Sequence, residues 1–330
     1  MSRKPPPELD FRKAALSRLA ERPSTVDAGS FGKALPAGSS FRAFADSLPE
    51  ILGAKELKLA ARAVARARAG DRPVMLAMGG HPIKVGLGPV IAASMEDGFI
   101  TSVHANGSVL VHDFEAATAG ATSEDVSAAL PEGAFGVTSE TGAFVCRAAR
   151  EAAASQGARG PREGLGEACA RILSASDPPW GRLSVLTACH RLGIPFTVHP
   201  AIGTDVFAIH PDFDAGDLGK AADADFRLFC RLVADLEGGV FLHLGSAVIM
   251  PEVFLKAVSL ARNLGFRQEG LFTANMDFIL QYRPRVNVVE RPTRDRGRGV
   301  NLTGHHEIMF PLLMALAREY AEAGDFHGPG

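Results

Sequence analysis

The chain has 330 residues, 46% of them hydrophobic, enough to bury a substantial core in one large α/β domain or two ordinary ones. Lys and Arg number 35 against 37 Asp and Glu, so no domain-wide basic field exists to hold a nucleic-acid backbone, and nucleic acid is not an expected partner. The four cysteines, Cys146, Cys169, Cys189 and Cys230, form no CxxC pair, and neither an apolar leader nor a run of about 18 apolar residues occurs, so a disulfide framework, secretion and a membrane partner are disfavoured and a cytoplasmic setting is expected.

Residues 1–47 are punctuated by Pro, Gly and Ser (KPPPE, DAGSFGKALPAGSSF) and read as an extended N-terminal arm with one short helix over 12–21. From residue 48 the pattern changes, and 48–330 reads as a single domain. LPEILGAKELKLAARAVARARAG has apolar residues three and four apart and predicts a helix stopped by Gly70; RPVMLAMGG follows as a short apolar strand. GLGPVIAASMEDG reads as a helix, FITSVHANG as a strand, SEDVSAAL as a helical turn and GLGEACARILSA as a helix. SVLTACHRLG leads into the strand IPFTVHPAIG, then come the helix DADFRLFCRLVADLEGG, the strand VFLHLGSAV and the helix PEVFLKAVSLARNLG. VNVVERP reads as the last strand and IMFPLLMALAREYAEAG as the last helix. Short apolar strands between amphipathic helices predict a Rossmann-like α/β fold, a parallel sheet with helices on both faces.

In such a sheet a ligand lies beyond the carboxyl ends of the strands, so polar residues just after each strand are the candidates. Five windows stand there: GGHPIKVGLG, HANGSVLVHDFE, HPAIGTD, GSAVIMPE and TGHHE. They hold six of the ten histidines, His81, His104, His112, His199, His305 and His306, a concentration that points to a site. GGHPIKVGLG resembles a dinucleotide turn in which backbone N–H groups face a pyrophosphate, although its spacing is not GxGxxG; Lys84 adds a cation able to pair with phosphate. In TGHHE, adjacent helical residues point about 100° apart, so His305 and His306 do not suit joint chelation of one ion and no metal is expected. They suit a helix N-terminus, with Glu307 beside the positive end of the dipole.

The ordered set IPFTVHPAIGTD, GSAV, ARNLG, FTANMDF and TGHHEIMFPLL resembles the deoxyhypusine synthase family over residues 48–320. The resemblance implies that family's Rossmann-related fold, a homotetramer with sites at subunit interfaces, and NAD as cofactor in oxidation of a polyamine and transfer of its aminobutyl group. It places His81, Lys84, Gly86, Asn106, Gly107 and Ser108 at the NAD phosphates and ribose, with Asp113 and Glu115 near acidic residues of the same pocket. Asp205, Gly245, Ser246, Thr273, Ala274, His305 and His306 match further NAD-contacting positions.

The family's Schiff-base lysine is missing: no lysine follows Lys256, and the only tryptophan is Trp180 rather than part of a Trp-Gly-Lys segment before TGHHE. Arginine stays protonated and does not replace an amine nucleophile. The acidic loop that holds a polyamine in the family is replaced by QYRPRVNVVERPTRDRGRG, which reads either as a solvated surface loop or subunit contact, or as the reader of a substrate that is anionic or carries a carboxylate, with Arg283, Arg291 and Arg298 as its partners. Glu252 stands where the family has a histidine and is a candidate base, together with His305 or His306. The expectation is an NAD-dependent enzyme oxidising a C–N unit of a small amine or amino-acid-like substrate, as a homo-oligomer. A non-catalytic NAD-binding or scaffold homologue is the alternative.

Overall fold

The structure is a computed structural model that describes residues 6–155 and 162–327. By contact clustering the chain divides into two compact units after Ile51. The first contains three 3-10 turns, Phe11–Lys13, Leu19–Glu21 and Ala28–Ser30, and the helix α1, Phe41–Ser47, whose N-cap Ser40 accepts from Ala43 N. The helix expected over 12–21 does not form. Asp10 caps only one turn there, neither turn buries a residue, and helix nucleation is costly without packing to offset it.

The second unit is built on a six-stranded sheet of order β3-β2-β1-β4-β5-β6, in which every neighbouring pair is parallel. The strands are β1 Val74–Met78, β2 Ser102–Asn106, β3 Phe196–His199, β4 Val240–Leu244, β5 Leu271–Asp277 and β6 Gly297–Thr303. Helix α2, Leu52–Ala69, precedes β1; α3, His81–Lys84, and α4, Gly88–Glu96, join β1 to β2. Between β2 and β3 come α5 Gly107–Ala119, α6 Val126–Ala129, α7 Ser139–Ser155, α8 Leu165–Ala175 and α9 Val185–Leu192. Helix α10, Ala215–Ala234, joins β3 to β4, and α11, Ile249–Asn263, joins β4 to β5. The last crossover is α12 Tyr282–Pro284, a π-helical turn Arg285–Glu290 and α13 Arg291–Thr293; α14, His306–Ala323, follows β6.

Both faces of the sheet are covered. On one face Phe229, Val233 and Phe254 of α10 and α11 pack with Met75, Ala77 and Phe241, and the rings of Phe241 and Phe254 stack 3.7 Å apart. Helices α2 and α14 pack against each other and against the strands, joined by Arg62, which lies over the Tyr320 ring and pairs with Asp325. Cys146, Cys169 and Cys189 are buried, Cys230 is half-buried, and all four are free thiols. No helix among the described residues is long and apolar enough to cross a membrane.

Five segments of the second unit differ from the sequence reading. VNVVE forms the π-helical turn, not a strand: Pro284 and Pro292 bracket it, and Val288 and Val289 bury against the α10 and α11 core. Tertiary packing there overrides β-propensity. The fifth and sixth strands are LFTANMD and GRGVNLT, whose small and polar residues mask the apolar signature of a buried strand. Helices α5 and α7 also form where no helix was expected.

Those polar residues belong to a row across the sheet. Pairing register aligns Thr197, His104, Ala77, His243, Asn275 and Asn301 from β3 to β6. His104 Nδ1 meets Thr197 Oγ1 at 2.7 Å, His243 Nδ1 meets Asn275 Oδ1 at 2.8 Å, and Asn275 Nδ2 donates to Asn301 Oδ1 at 3.1 Å. Hydrogen bonding of this kind is what makes burial of polar groups tolerable. His104 and His199 are therefore interior residues, although they fall in the strand-end windows. Burial pushes His199 down to about 3, pushes His243 down to about 4, and holds His104 well below the usual imidazole value.

A histidine whose folded pKa is depressed is fully accommodated above its unfolded value near 6.5, and its contribution is lost as pH falls toward the folded value. Replacing His199 with a non-titrating glutamine should therefore shift the stability gap in the variant's favour by about 2 kcal/mol between about pH 7 and pH 5. Denaturant unfolding of both proteins at the two pH values measures this. A gap that does not change with pH would contradict the buried neutral imidazole.

Candidate functional site

The strand order reverses direction between β1 and β4, the place where parallel α/β sheets open a crevice beyond their carboxyl ends. Gly79 and Gly80 leave β1 there, and Gly245 and Ser246 leave β4; Gly79 N donates to Leu244 O at 3.0 Å and closes the sheet at its rim. Gly245 has φ +63, and a Cβ on it would come within 2.5 Å of His306 Cε1. Only glycine combines that backbone conformation with that approach. Ser246 accepts from Met250 N with its Oγ and so caps the first turn of α11.

His306 begins α14 and is fully buried, while His305, the N-cap, turns outward with 67% of its side chain exposed and its ring stacked on Phe278. The pair thus splits as adjacency requires. His306 Nδ1 lies 2.8 Å from His81 Nδ1, and its Nε2 lies 3.3 Å from Met276 O and 3.6 Å from Asp277 Oδ1. Burial lowers the His306 pKa; Asp277 opposes that and His81 adds to it. The Phe278 ring, just after β5, borders both His81 and His306. Asp277 and Phe278 were not picked out by sequence reasoning. Reading FTANMDF as a strand would have set Asp277 at a carboxyl end, among the candidate positions.

Beside this crevice, on the β2 and β3 side, lies a cleft of about 480 Å³ whose wall includes Lys84, Ser108, His112, Glu115, Thr141 and Asp205. Ser108 connects the two, since a Cβ on Gly80 would meet its Oγ at 2.7 Å. Asn106 is the N-cap of α5, and its Oδ1 accepts from Ser108 Oγ at 2.8 Å. The Asp205 carboxylate lies directly over Gly107 Cα, where no side chain would fit. Burial pushes Asp205 up to about 6 although it accepts from Ala201 N at 2.7 Å. Glu115 accepts from Thr122 Oγ1 at 2.6 Å, and Thr122 also meets His112 Nδ1 at 2.8 Å. Burial, with the charge of Lys84 second, pushes His112 down to about 4, so it stays a neutral hydrogen-bonding group.

Several expected site residues are placed elsewhere. Asp113 is fully buried and accepts from Ser184 Oγ, Val185 N at 2.8 Å and Leu186 N at 3.1 Å, so it anchors the start of α9. Its side chain faces inward from α5, whereas Glu115 faces the cleft. Thr273 and Ala274 are buried in the middle of β5, because that strand continues to Asp277 before the chain reaches the sheet rim. Gly86 makes the left-handed turn between α3 and α4 at φ +81.

The candidate base Glu252 sits in the first turn of α11, paired with Lys256, bonded by Asn287 Nδ2 at 2.8 Å and 3.5 Å from Arg283 Nε. Lys256 first, then Arg283 and Asn287, draw its pKa below the usual carboxylate range, so it is held as a carboxylate. Arg283 alone of the three proposed arginines follows β5 at the site end of the sheet. Arg291 donates to Asn287 Oδ1 at 2.7 Å on the crossover, and Arg298 opens β6 at its amino end, beside Glu56 of α2. Among the described residues no group of three or more His, Cys, Asp or Glu side chains is placed to hold a metal ion.

No protein-family model matches the chain, and no curated protein matches it by sequence. Among solved structures, a deoxyhypusine synthase-like protein from Entamoeba histolytica superposes with a TM-score of 0.51 at 12% identity, over 88% of this chain and 97% of that one. AgrE in ternary complex with ornithine and NAD+ superposes with a TM-score of 0.50 at 15% identity, over 86% of this chain and 34% of that one. A variant of AgrE in complex with L-arginine gives 0.51 at 17% identity, over 81% and 32%. The chain thus spans about a third of the length of AgrE. The likeness establishes a deoxyhypusine synthase-like α/β fold, the six-stranded parallel sheet with helices on both faces.

The seat of His306 on Gly245 is open to a direct check. Gly245→Ala should cost about 2 kcal/mol from the left-handed backbone alone, with more from the displaced ring. Denaturant unfolding should show that loss, and a variant as stable as the parent would refute the close packing.

Proposed function

We propose that this chain is an NAD-dependent enzyme that oxidises the C–N unit of a small amine or amino-acid-like substrate. The observation that carries the proposal is the reversal of strand order between β1 and β4, with the linked His81 and His306 side chains at the β1 and β6 ends and the cleft lined by Lys84, Ser108, Glu115 and Asp205 beside them. Such a reversal in a parallel sheet is where dinucleotides bind. The residues present fit that cofactor. Asn106 and Ser108 offer polar groups at the start of α5, and Asp205 and Glu115 on the cleft wall offer carboxylates to ribose hydroxyls. Lys84 on the cleft wall would stand opposite phosphate.

The cofactor supplies a two-electron hydride acceptor when bound. The protein's part is to orient the amine, exclude water and hold the proton that the amine releases. Glu115, Glu124 and Asp205 give the cleft acidic character against the single Lys84, a distribution that suits a ligand bearing an ammonium group and one anionic group. Arg283, held beside Glu252, is the arginine best placed to meet a substrate carboxylate. The ornithine and L-arginine complexes of AgrE support amino acids of this type as first probes. Without a Schiff-base lysine after Lys256, covalent aminobutyl transfer is not part of the proposal.

Titration calorimetry of the full chain with NAD+ should show saturable binding. Addition of L-ornithine, L-arginine, L-lysine or spermidine to the loaded protein should then generate the absorbance of reduced nicotinamide with at least one of them. Absence of NAD+ binding would overturn the proposal. Binding with no reduction by any amine would favour the non-catalytic homologue.

A further inference from the structure

We infer that His81 is the base of this site, its Nε2 lone pair kept available by a hydrogen-bond chain through His306 to the Met276 carbonyl, beside the Asp277 carboxylate; the inference rests on the function proposed above. It follows from donor and acceptor arithmetic. His306 Nε2 faces the Met276 carbonyl oxygen at 3.3 Å and Asp277 Oδ1 at 3.6 Å, and a carbonyl or carboxylate oxygen only accepts. The proton of neutral His306 therefore sits on Nε2, which leaves Nδ1 as a lone pair. His81 Nδ1 is 2.8 Å from that lone pair and must donate to it. The proton of neutral His81 is thereby fixed on Nδ1, and its Nε2 is the basic nitrogen. Among the described residues, no group hydrogen-bonds that Nε2.

The surroundings fit a base that gains and loses charge. His81 is half-buried, and His306 behind it is fully buried and kept neutral by its burial. The groups that face the pair are Lys84 one turn along α3, Asp277 at the end of β5, and His305 and Glu307 at the start of α14. When His81 takes up a proton at Nε2, both of its nitrogens carry protons. Its Nδ1–H still donates to His306, whose Nε2–H donates to the Met276 carbonyl with the Asp277 carboxylate 3.6 Å away, so the new positive charge is met by an aligned chain and a nearby negative charge. His306 acts through His81 and is a positioning residue. The Met276 carbonyl orients His306, and Asp277 adds a negative charge beside it.

The step balances. A substrate ammonium, R2CH–NH3+, gives one proton to His81 Nε2 and becomes the free amine. With NAD+ bound to supply the hydride acceptor, the C–H electron pair would leave as hydride while the nitrogen lone pair forms the C=N bond. The substrate would thus lose one proton to His81 and one hydride, which carries both electrons, to the cofactor, leaving an iminium ion.

The tautomer is measurable with no cofactor and no substrate. Long-range 1H–15N correlation on the full chain labelled with 15N-histidine, at alkaline pH, should show His81 protonated at Nδ1 and His306 at Nε2. In His306→Phe the acceptor is gone, and His81 should return to the Nε2–H form that free imidazole prefers. A His81 protonated at Nε2 in the parent protein would overturn the inference, and that measurement does not depend on the variant folding. With an amine that reduces NAD+, His81→Ala should lower turnover by about 100-fold or more at unchanged NAD+ affinity, with partial rescue by added imidazole. Turnover within about threefold of the parent would also overturn the inference. Should NAD+ fail to bind, the proposed function falls while the tautomer result stands on its own.

Discussion

The ring of His306 rests on the backbone of Gly245, and this contact ties the last strand-to-helix turn to the one that follows the fourth strand. It needs the left-handed conformation of Gly245, the burial of His306 and the acceptors at the end of β5 together. Once the imidazole is seated, its remaining nitrogen can meet only His81, which arrives from the turn after β1. Three strand ends that are far apart in the chain are thus linked by one side chain. The chemistry proposed for the crevice depends on that link, because a loosely held His306 would leave the His81 tautomer undetermined.

Below the rim the sheet carries an uncommon polar load for a parallel sheet covered on both faces. The row from Thr197 to Asn301 is satisfied by pairs that lie side by side in register, and Ala77 in β1 interrupts it. Among the described residues, His243 Nε2 in this row and Thr273 Oγ1 in β5 are buried without a hydrogen-bond partner. His243 also feels the charges of Asp277 and His306 directly above it. The polar row and the rim residues therefore form one continuous electrostatic environment under the crevice.

Much of this fold is legible in the chain. The alternation of apolar strands and amphipathic helices from residue 48 onward predicts a parallel α/β sheet, because each strand buried on both faces must be apolar throughout. That same rule hides β5 and β6, whose residues include Thr273, Asn275, Asn301 and two glycines. It also promotes VNVVE to a strand, since local propensity does not register that flanking prolines and a nearby helical core will take it. At the site, the histidine concentration found His81 and His306 but also gathered His104 and His199, which serve the sheet interior. Spacing along a chain does not distinguish a residue at the last position of a strand from one just beyond it. Asp113 and Glu115 show the corresponding limit on a helix, where two positions reverse the direction a side chain faces.

The arginine-rich segment divides along its length for a geometric reason. It runs from the carboxyl end of β5 to the amino end of β6, so only its first residues share the crevice end of the sheet. Arg283 is there with Glu252, whereas Arg298 is at the opposite rim. A crystal structure of the chain with NAD+ and L-ornithine tests the central claim most directly. The account predicts the nicotinamide in the crevice between the β1 and β4 turns, with the amino acid nitrogen within hydrogen-bond distance of His81 Nε2. A dinucleotide bound away from that crevice, or a His306 ring turned out of its seat on Gly245, would contradict it.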